Sequence, residues 1–297
     1  SWTTTERSVW YKFDYSKKDS CNVIFRTSNQ SSFKIIGTNS LSGWEEYQDA
    51  KQYFYIELSK PFSETGIFDQ EKLVPNAKEQ TGKKLGVFAT YKDLSEPLFV
   101  KIGISFISED QAKENLQKET TGKNFEQVKN ESYQLWKKTI NQIKVKGGTE
   151  RQKRIFYTCL YRASERMVDI SEYGKYYSGY DHQIHETNGR PFFVDDWLWD
   201  TFRCLHPLGL ILNPDMQADM VQSYVDMYQQ SKWMPGFPQF YGDFPAMIGF
   251  HTAPLMLDTY RKGAKNFDVE KAYEGLKKNA TQGTMLPWRT GPMCSLD

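Results

Sequence analysis

The chain has 297 residues, 39% hydrophobic and 25% charged, with a formal net charge of +1. That length suits two domains with separate cores. The near-zero charge gives no electrostatic footprint for nucleic acid or an anionic membrane, and no apolar run is long enough to span a bilayer.

In chain order, 9–13 (VWYKF), 23–25 (VIF), 33–36 (FKII), 53–58 (YFYIEL), 85–91 (LGVFATY) and 98–107 (LFVKIGISFI) predict strands. They are short, rich in β-branched and aromatic residues, and mostly separated by Ser, Asn, Gly and Lys. Residues 63–84 are polar and read as a loop. Residues 1–107 therefore predict an antiparallel β-sandwich. Ser108 caps a helix with acidic residues in its first turn, and a second helix runs from about Asn124 to Gln142. Residues 143–148 (IKVKGG) read as a short strand and turn, so 108–148 form a helical linker. From Thr149, itself a cap, the pattern is helical, with loops over 172–189 and 234–245. Helices are expected from about Trp197 to Leu212, from Pro214 to about Gln230, over 246–262 and over 268–279. Paired helices joined by long polar-aromatic loops suggest an α/α toroid whose loops gather at one face. The chain opens at Ser1 in mid-pattern and stops at Asp297 inside a polar segment, which reads as a fragment of a longer protein.

Four cysteines, Cys21, Cys159, Cys204 and Cys294, lack CxxC spacing. This argues against a zinc ribbon and a dense disulfide scaffold. Cys159 and Cys204 fall in apolar helical patterns and are expected to be buried.

The stretch Arg190–Pro207 (RPFFVDDWLWDTFRCLHP) concentrates acidic and aromatic side chains, 233–251 (WMPGFPQFYGDFPAMIGFH) adds more aromatics around Asp243, and 285–288 (MLPW) adds a further Trp. Carboxylates accept bonds from hydroxyls and rings cover the apolar face of a pyranose, so the mixture suits a sugar. If Asp196 and Asp200 share a helix they lie on one face, and one of two close carboxylates becomes an acid. The alternative is that Asp195 or Asp196 caps that helix. Arg203 is placed to pair with Asp200. His182 and His185 (DHQIHE) make a weak zinc pattern, and hydrogen bonding or loop exposure is the preferred reading. His206 and His251 are either core histidines or ligand contacts. Trp233, Phe237, Phe240 and Tyr241 form an aromatic loop around Asp243, read either as a binding loop or as a plug. No GxGxxG after a strand, P-loop, GxSxG or basic stripe occurs, so hydride transfer, phosphoryl transfer and serine hydrolysis lose support.

Residues 193–208 (FVDDWLWDTFRCLHPL), 232–263 (KWMPGFPQFYGDFPAMIGFHTAPLMLDTYRKG) and 148–163 (GTERQKRIFYTCLYRA) resemble glycoside hydrolase family 92, the exo-acting α-mannosidases. Residues 99–119 resemble that family's sandwich-to-linker passage. The resemblance implies an α+β multidomain protein: a sandwich, a helical linker, and the first part of an (α/α)6 barrel over 149–297. It also implies inverting removal of terminal mannose from a glycan, a bound calcium ion, and an exported, periplasmic or cell-surface location. Carried over, Asp200 would bind mannose hydroxyls, with Trp199, Arg203 and His206 lining or supporting the pocket. Asp196, Trp233, Asp243 and His251 complete the candidate set. Asp243 stands where many relatives carry a Glu in an ETN-like run, and GDFPAM departs from that run. The family's EGN-type general acid and DDxGQ-type general base do not occur, so both are expected beyond Asp297. The rival readings are a non-catalytic sugar-binding protein on the same frame and an α/α-barrel glycosidase for another sugar.

Overall fold

The computed structural model describes residues 1–16, 21–92, 94–244, 246 and 249–282. It divides into two compact units, Ser1–Thr139 and Ile140–Asp297.

The first unit is built on strands β1 (Trp2–Thr4), β2 (Ser8–Phe13), β3 (Cys21–Arg26), β4 (Gln30–Ile36), β5 (Ser40–Tyr47), β6 (Ala50–Leu58), β7 (Glu64–Asp69), β8 (Lys72–Val74), β9 (Glu79–Lys83), β10 (Leu85–Tyr91) and β11 (Leu98–Ser105). They form a seven-stranded sheet, order β1-β2-β11-β6-β5-β4-β9, and a four-stranded sheet, order β3-β10-β7-β8. Every pairing is antiparallel. Alternation decides which side is core. In β10, Leu85, Val87, Ala89 and Tyr91 turn inward and meet Phe33, Leu41, Ile56, Leu58, Leu98 and Val100 of the other sheet. Each large aliphatic side chain fully buried there contributes roughly 1.5–3 kcal/mol.

The polar segment 63–84 is not a loop: it supplies β7, β8 and β9. β8 and β9 are edge strands, where polar side chains are tolerated because one face and one side stay wet. β5, unmarked by composition, runs through the middle of the larger sheet. Its Gly43 is dictated by close approach, because a Cβ there would fall 1.9 Å from the Ser32 carbonyl oxygen.

Helices α1 (Glu109–Thr120) and α2 (Phe125–Ile140) follow. Ser108 caps α1, its Oγ accepting from Gln111 N at 3.0 Å. Ala112 and Leu116 pack on Tyr55 of the larger sheet. Phe125 and Val128 of α2 pack on Trp10, whose ring meets Phe125 edge-on at 6.2 Å. Both helices thus fasten to the sandwich, inside the first unit. Residues 141–148 contain no strand, in contrast to the reading of IKVKGG. The alternation is there but no neighbouring strand pairs with it.

The second unit contains α3 (Glu150–Ala163), β12 (Val168–Asp169), β13 (Lys175–Ser178), β14 (Gln183–Glu186), β15 (Phe193–Val194), α4 (Leu198–Leu212), α5 (Pro214–Ser231), β16 (Pro238–Gln239), β17 (Gly242–Asp243), α6 (Thr252–Arg261) and α7 (Val269–Gln282). A capping box at Thr149 and Gln152 starts α3. Asn213 ends α4 and caps α5, which opens on Pro214. α6 begins at Thr252, later than its sequence pattern suggested. The core joins Leu198 of α4, Val221, Tyr224 and Val225 of α5, Met234, Leu255 of α6 and Ala272 of α7. No helix among the described residues is long and apolar enough to cross a membrane.

Candidate functional site

The turn into α4 builds the site. Asp195 adopts a left-handed conformation, φ 61°, between the buried Val194 and Asp196. Asp195 forms an ion pair with Arg166 and accepts from Trp197 Nε1 at 3.3 Å. The Arg166 guanidinium also lies over the Trp197 ring, 4.6 Å from its centroid. Trp197 is the residue that precedes the helix, and no side chain caps it. Neither Asp195 nor Asp196 is therefore a cap. Asp196 also lies outside the helix, so the expected one-face pairing of Asp196 with Asp200 does not occur.

Asp196 turns inward and is fully buried. Its Oδ1 accepts from Thr201 Oγ1 at 2.6 Å. Its Oδ2 accepts from Tyr224 OH at 2.6 Å and faces His206 Nε2 at 2.7 Å. Its own N–H donates to the Pro238 carbonyl at 3.1 Å, tying it to the β16–β17 hairpin. His206, 1% exposed, turns its other nitrogen to the Gln217 side-chain amide. A sugar hydroxyl cannot reach Asp196 or His206 in this arrangement. Asp196 was expected to contact substrate and His206 to line or support the pocket; both lie beneath the surface. Burial alone would raise the Asp196 carboxyl, but the His206 charge and the bonds from His206, Thr201 and Tyr224 outweigh it and hold it below its ordinary value. Burial alone would lower His206, but the Asp196 charge and bonds to Asp196 and Gln217 carry it upward.

Above this hub, the first turns of α4 present Trp199, Asp200 and Arg203 as exposed side chains. Arg203 sits over the Trp199 ring at 4.7 Å and the Phe202 ring at 5.4 Å. It meets rings where an ion pair with Asp200 was expected. Phe202 in turn lies against the His251 ring, centroids 4.3 Å apart. Burial, and then the charge of Arg203, lower His251 below its usual value.

Asp243 is half-buried and turned toward its own loop: Oδ1 accepts from Phe237 N at 2.7 Å and from Gly236 N at 3.1 Å. Burial raises its carboxyl to about 6 against these backbone donors. Around it Trp197, Phe237, Phe244, Tyr241 and Phe240 form successive edge-to-face contacts between 5.1 and 6.5 Å. The hairpin seats against Gly179, where a Cβ would fall 2.2 Å from the Tyr241 carbonyl carbon. Trp233 stands apart from this array, its ring covered by Lys278 Nζ at 4.5 Å.

Other candidates separate from the site. His182 bonds to Tyr177 OH at 2.8 Å and His185 to Asp181 at 2.9 Å. Cys159 and Cys204 are exposed, contrary to expectation, because the helix faces they occupy are uncovered among the described residues. The run 285–288 and Cys294 lie outside the described residues. No group of three or more His, Cys, Asp or Glu that could hold a metal occurs among the described residues. Calcium takes about 6–8 oxygens, and the Asp196 and Asp243 carboxyls, each bonded to protein donors, stand in no such cluster. The described residues offer no cluster of carboxylates for the calcium ion that the resemblance implied. A cavity of about 400 Å³ lies in the first unit, beside Tyr11, Phe25, Arg26, Phe33 and Glu45.

Sequence reasoning missed Thr201, Gln217 and Tyr224, which complete the buried hub, and Arg166 and Trp197 on the surface. One signal was available. Gln217 and Tyr224 are seven apart on α5, two turns along one helical face.

Comparison with known families decides the assignment. The glycosyl hydrolase family 92 N-terminal domain matches residues 1–105, and the family's catalytic domain matches residues 111–293. The chain belongs to glycosyl hydrolase family 92. An inverting mannosidase of family GH92 from Bacteroides thetaiotaomicron is 26% identical, with a TM-score of 0.89 over 95% of this chain and 40% of its own. A family GH92 alpha-mannosidase from the same organism is 25% identical with a TM-score of 0.87, over 94% of this chain and 40% of its own. That enzyme has also been solved with mannoimidazole bound. A secreted glycosidase of Arthroderma benhamiae is 26% identical over 205 residues, 64% of this chain and 22% of the relative. The chain thus spans less than half the length of each of these relatives.

Proposed function

We propose that the protein carrying this chain is an exported exo-α-mannosidase that removes terminal α-mannose from glycans with inversion. The observation that carries the proposal is the match to both family 92 domains, together with mannosidases among the structural relatives. The secreted relative supports the location. In this reading α3 to α7 are the first part of the (α/α)6 barrel, with the catalytic domain proposed to begin at 149 after a sandwich of 1–107 and a linker of 108–148. Asp200 accepts bonds from mannose hydroxyls. Trp199 offers its ring to the sugar's apolar face, with Arg203 behind it. His251 lies beside this patch, against Phe202. Inversion needs an acid to protonate the leaving oxygen and a base to activate water, with their carboxyls about 6.5–9.5 Å apart. Neither role is assigned within this chain, and residues 1–297 alone are expected to be inactive. Calcium is retained from the family resemblance, with no ligand and no step assigned to it.

The test is mannose release from an α-mannobioside by the intact protein, with and without EDTA, beside Asp200→Ala. Release that the substitution lowers about a hundredfold or more supports the reading. Intact sugar binding without any release from α-mannosides replaces it with a lectin-like function.

A further inference from the structure

The buried hub beneath α4 is more elaborate than packing requires. An aliphatic side chain of similar volume at position 196 would fill the space without removing a charge from water, and buried ion pairs add little net stability. What the hub does supply is geometry. Asp196 gathers three side-chain donors from two helices: Thr201 and His206 of α4 and Tyr224 of α5. Its backbone adds the hairpin through Pro238. His206 extends the chain to Gln217 on α5. Gly209 of α4 leaves room for that amide, since a Cβ there would fall 2.8 Å from Gln217 Oε1.

The span that these bonds bracket, residues 196–206, is the segment that presents Trp199, Asp200 and Arg203. The N–H groups of Asp200 and Thr201 both bond to the Trp197 carbonyl, at 2.8 and 3.0 Å, so their turn moves as one piece with the ends the hub holds. No side chain caps α4. The restraint a cap would give comes instead from Asp196 reaching forward to Thr201 and His206.

We propose that Asp196 and His206, with Tyr224 and Gln217 behind them, are positioning residues for the sugar site: they fix the first turn of α4 and thereby the direction in which Asp200, Trp199 and Arg203 face the sugar. The inference rests on the mannose-binding reading only for the identity of the ligand. The fixing of the turn stands independently of it.

The arrangement also sets the charge state through the Gln217 amide. With its oxygen toward His206 Nδ1, the imidazole donates from both nitrogens and is a cation paired with Asp196. With its nitrogen there, the ring is neutral. The Asp196 carboxylate on the far side favours the first.

The test uses the intact protein and the variants Tyr224→Phe, Asp196→Asn, His206→Phe and His206→Gln. Val225→Ala serves as a core control on the same helix, fully buried and outside the hub. Two quantities are read well below each variant's Tm: hydrogen exchange of the peptide spanning 198–206, and kcat/KM on the mannoside. Tyr224→Phe removes one hydroxyl and keeps the packing, so it stays folded and interpretable if the others do not. The expected result is exchange of 198–206 faster by about tenfold or more in Tyr224→Phe, Asp196→Asn and His206→Phe, with Val225→Ala near wild type at matched loss of Tm. His206→Gln, whose amide can still donate to Asp196, recovers much of the protection. Where the wild type is active, kcat/KM per folded molecule falls about tenfold to a hundredfold in the same order. Exchange unchanged, or raised equally by Val225→Ala, overturns the proposal. A wild type that neither binds nor cleaves mannosides overturns the function reading alone, and the exchange result still decides the positioning role.

Discussion

Replacing Asp243 by asparagine should change how stability depends on pH. The carboxyl titrates at about 6 against an ordinary 3.8 because burial opposes its charge. A gap of about two pH units corresponds to about 3 kcal/mol, which solvent screening at a half-buried site reduces to about 1–3 kcal/mol. A raised carboxyl works against the fold at high pH. Below the unfolded value both states are protonated and there is no penalty. The penalty grows as pH rises above 3.8 and is complete above about 6. The substituted side chain would keep the two backbone bonds, since Oδ1 alone already receives Phe237 N at 2.7 Å and Gly236 N at 3.1 Å. It would remove the ionisation. Urea denaturation of wild type and Asp243→Asn at several pH values between 4 and 7 should show the two close together at pH 4 and the variant gaining about 1–3 kcal/mol relative to wild type by pH 7. Parallel curves across that range would refute the reasoning, because they would mean that the loop accommodates the anion without penalty.

Two close backbone approaches give further tests. In Gly179→Ala the new methyl would meet the Tyr241 and Gly242 backbone at 2.2–2.6 Å, so the hairpin must lift. A loss of about 2–4 kcal/mol, visible as a lower Tm and faster exchange over 236–244, is expected. In Gly103→Ala the methyl would fall 2.2 Å from the Ala112 carbonyl and 2.7 Å from Leu116 Cβ, displacing α1 from the sandwich. About 1–3 kcal/mol should be lost, with faster exchange over 109–120 as the accompanying sign.

Much of this architecture was legible where side-chain type and burial coincide. The alternation of LGVFATY and LFVKIGIS marks strands because their inward faces are buried against the opposite sheet. Thr149 and Ser108 mark helix starts because their hydroxyls accept the amides they should. The misses have the opposite character. β7 to β9 read as polar because two of the three lie at sheet edges. β5 was hidden by Ser and by a glycine whose necessity lies in the Ser32 carbonyl of the neighbouring strand. Cys159 and Cys204 followed an apolar pattern to a face that no described residue covers.

The site shows the same division at the scale of four residues. Asp196 and Asp200 are the same residue type one helical turn apart, and spacing alone makes them equivalent. Their fates differ because α4 begins between them, at Leu198. The backbone turn at Asp195 points Asp196 into the core, where Tyr224 and His206 are waiting twenty-eight and ten residues along the chain. Asp200, already in helix, stays at the surface with Trp199. Composition marked the acids that suit a sugar, but their separation into an exposed layer and a buried layer depends on a helix boundary and on distant partners. Among the acids of the central stretch, Asp200 is exposed on α4, whereas Asp195 is engaged by Arg166 and Trp197 and Asp196 by the hub.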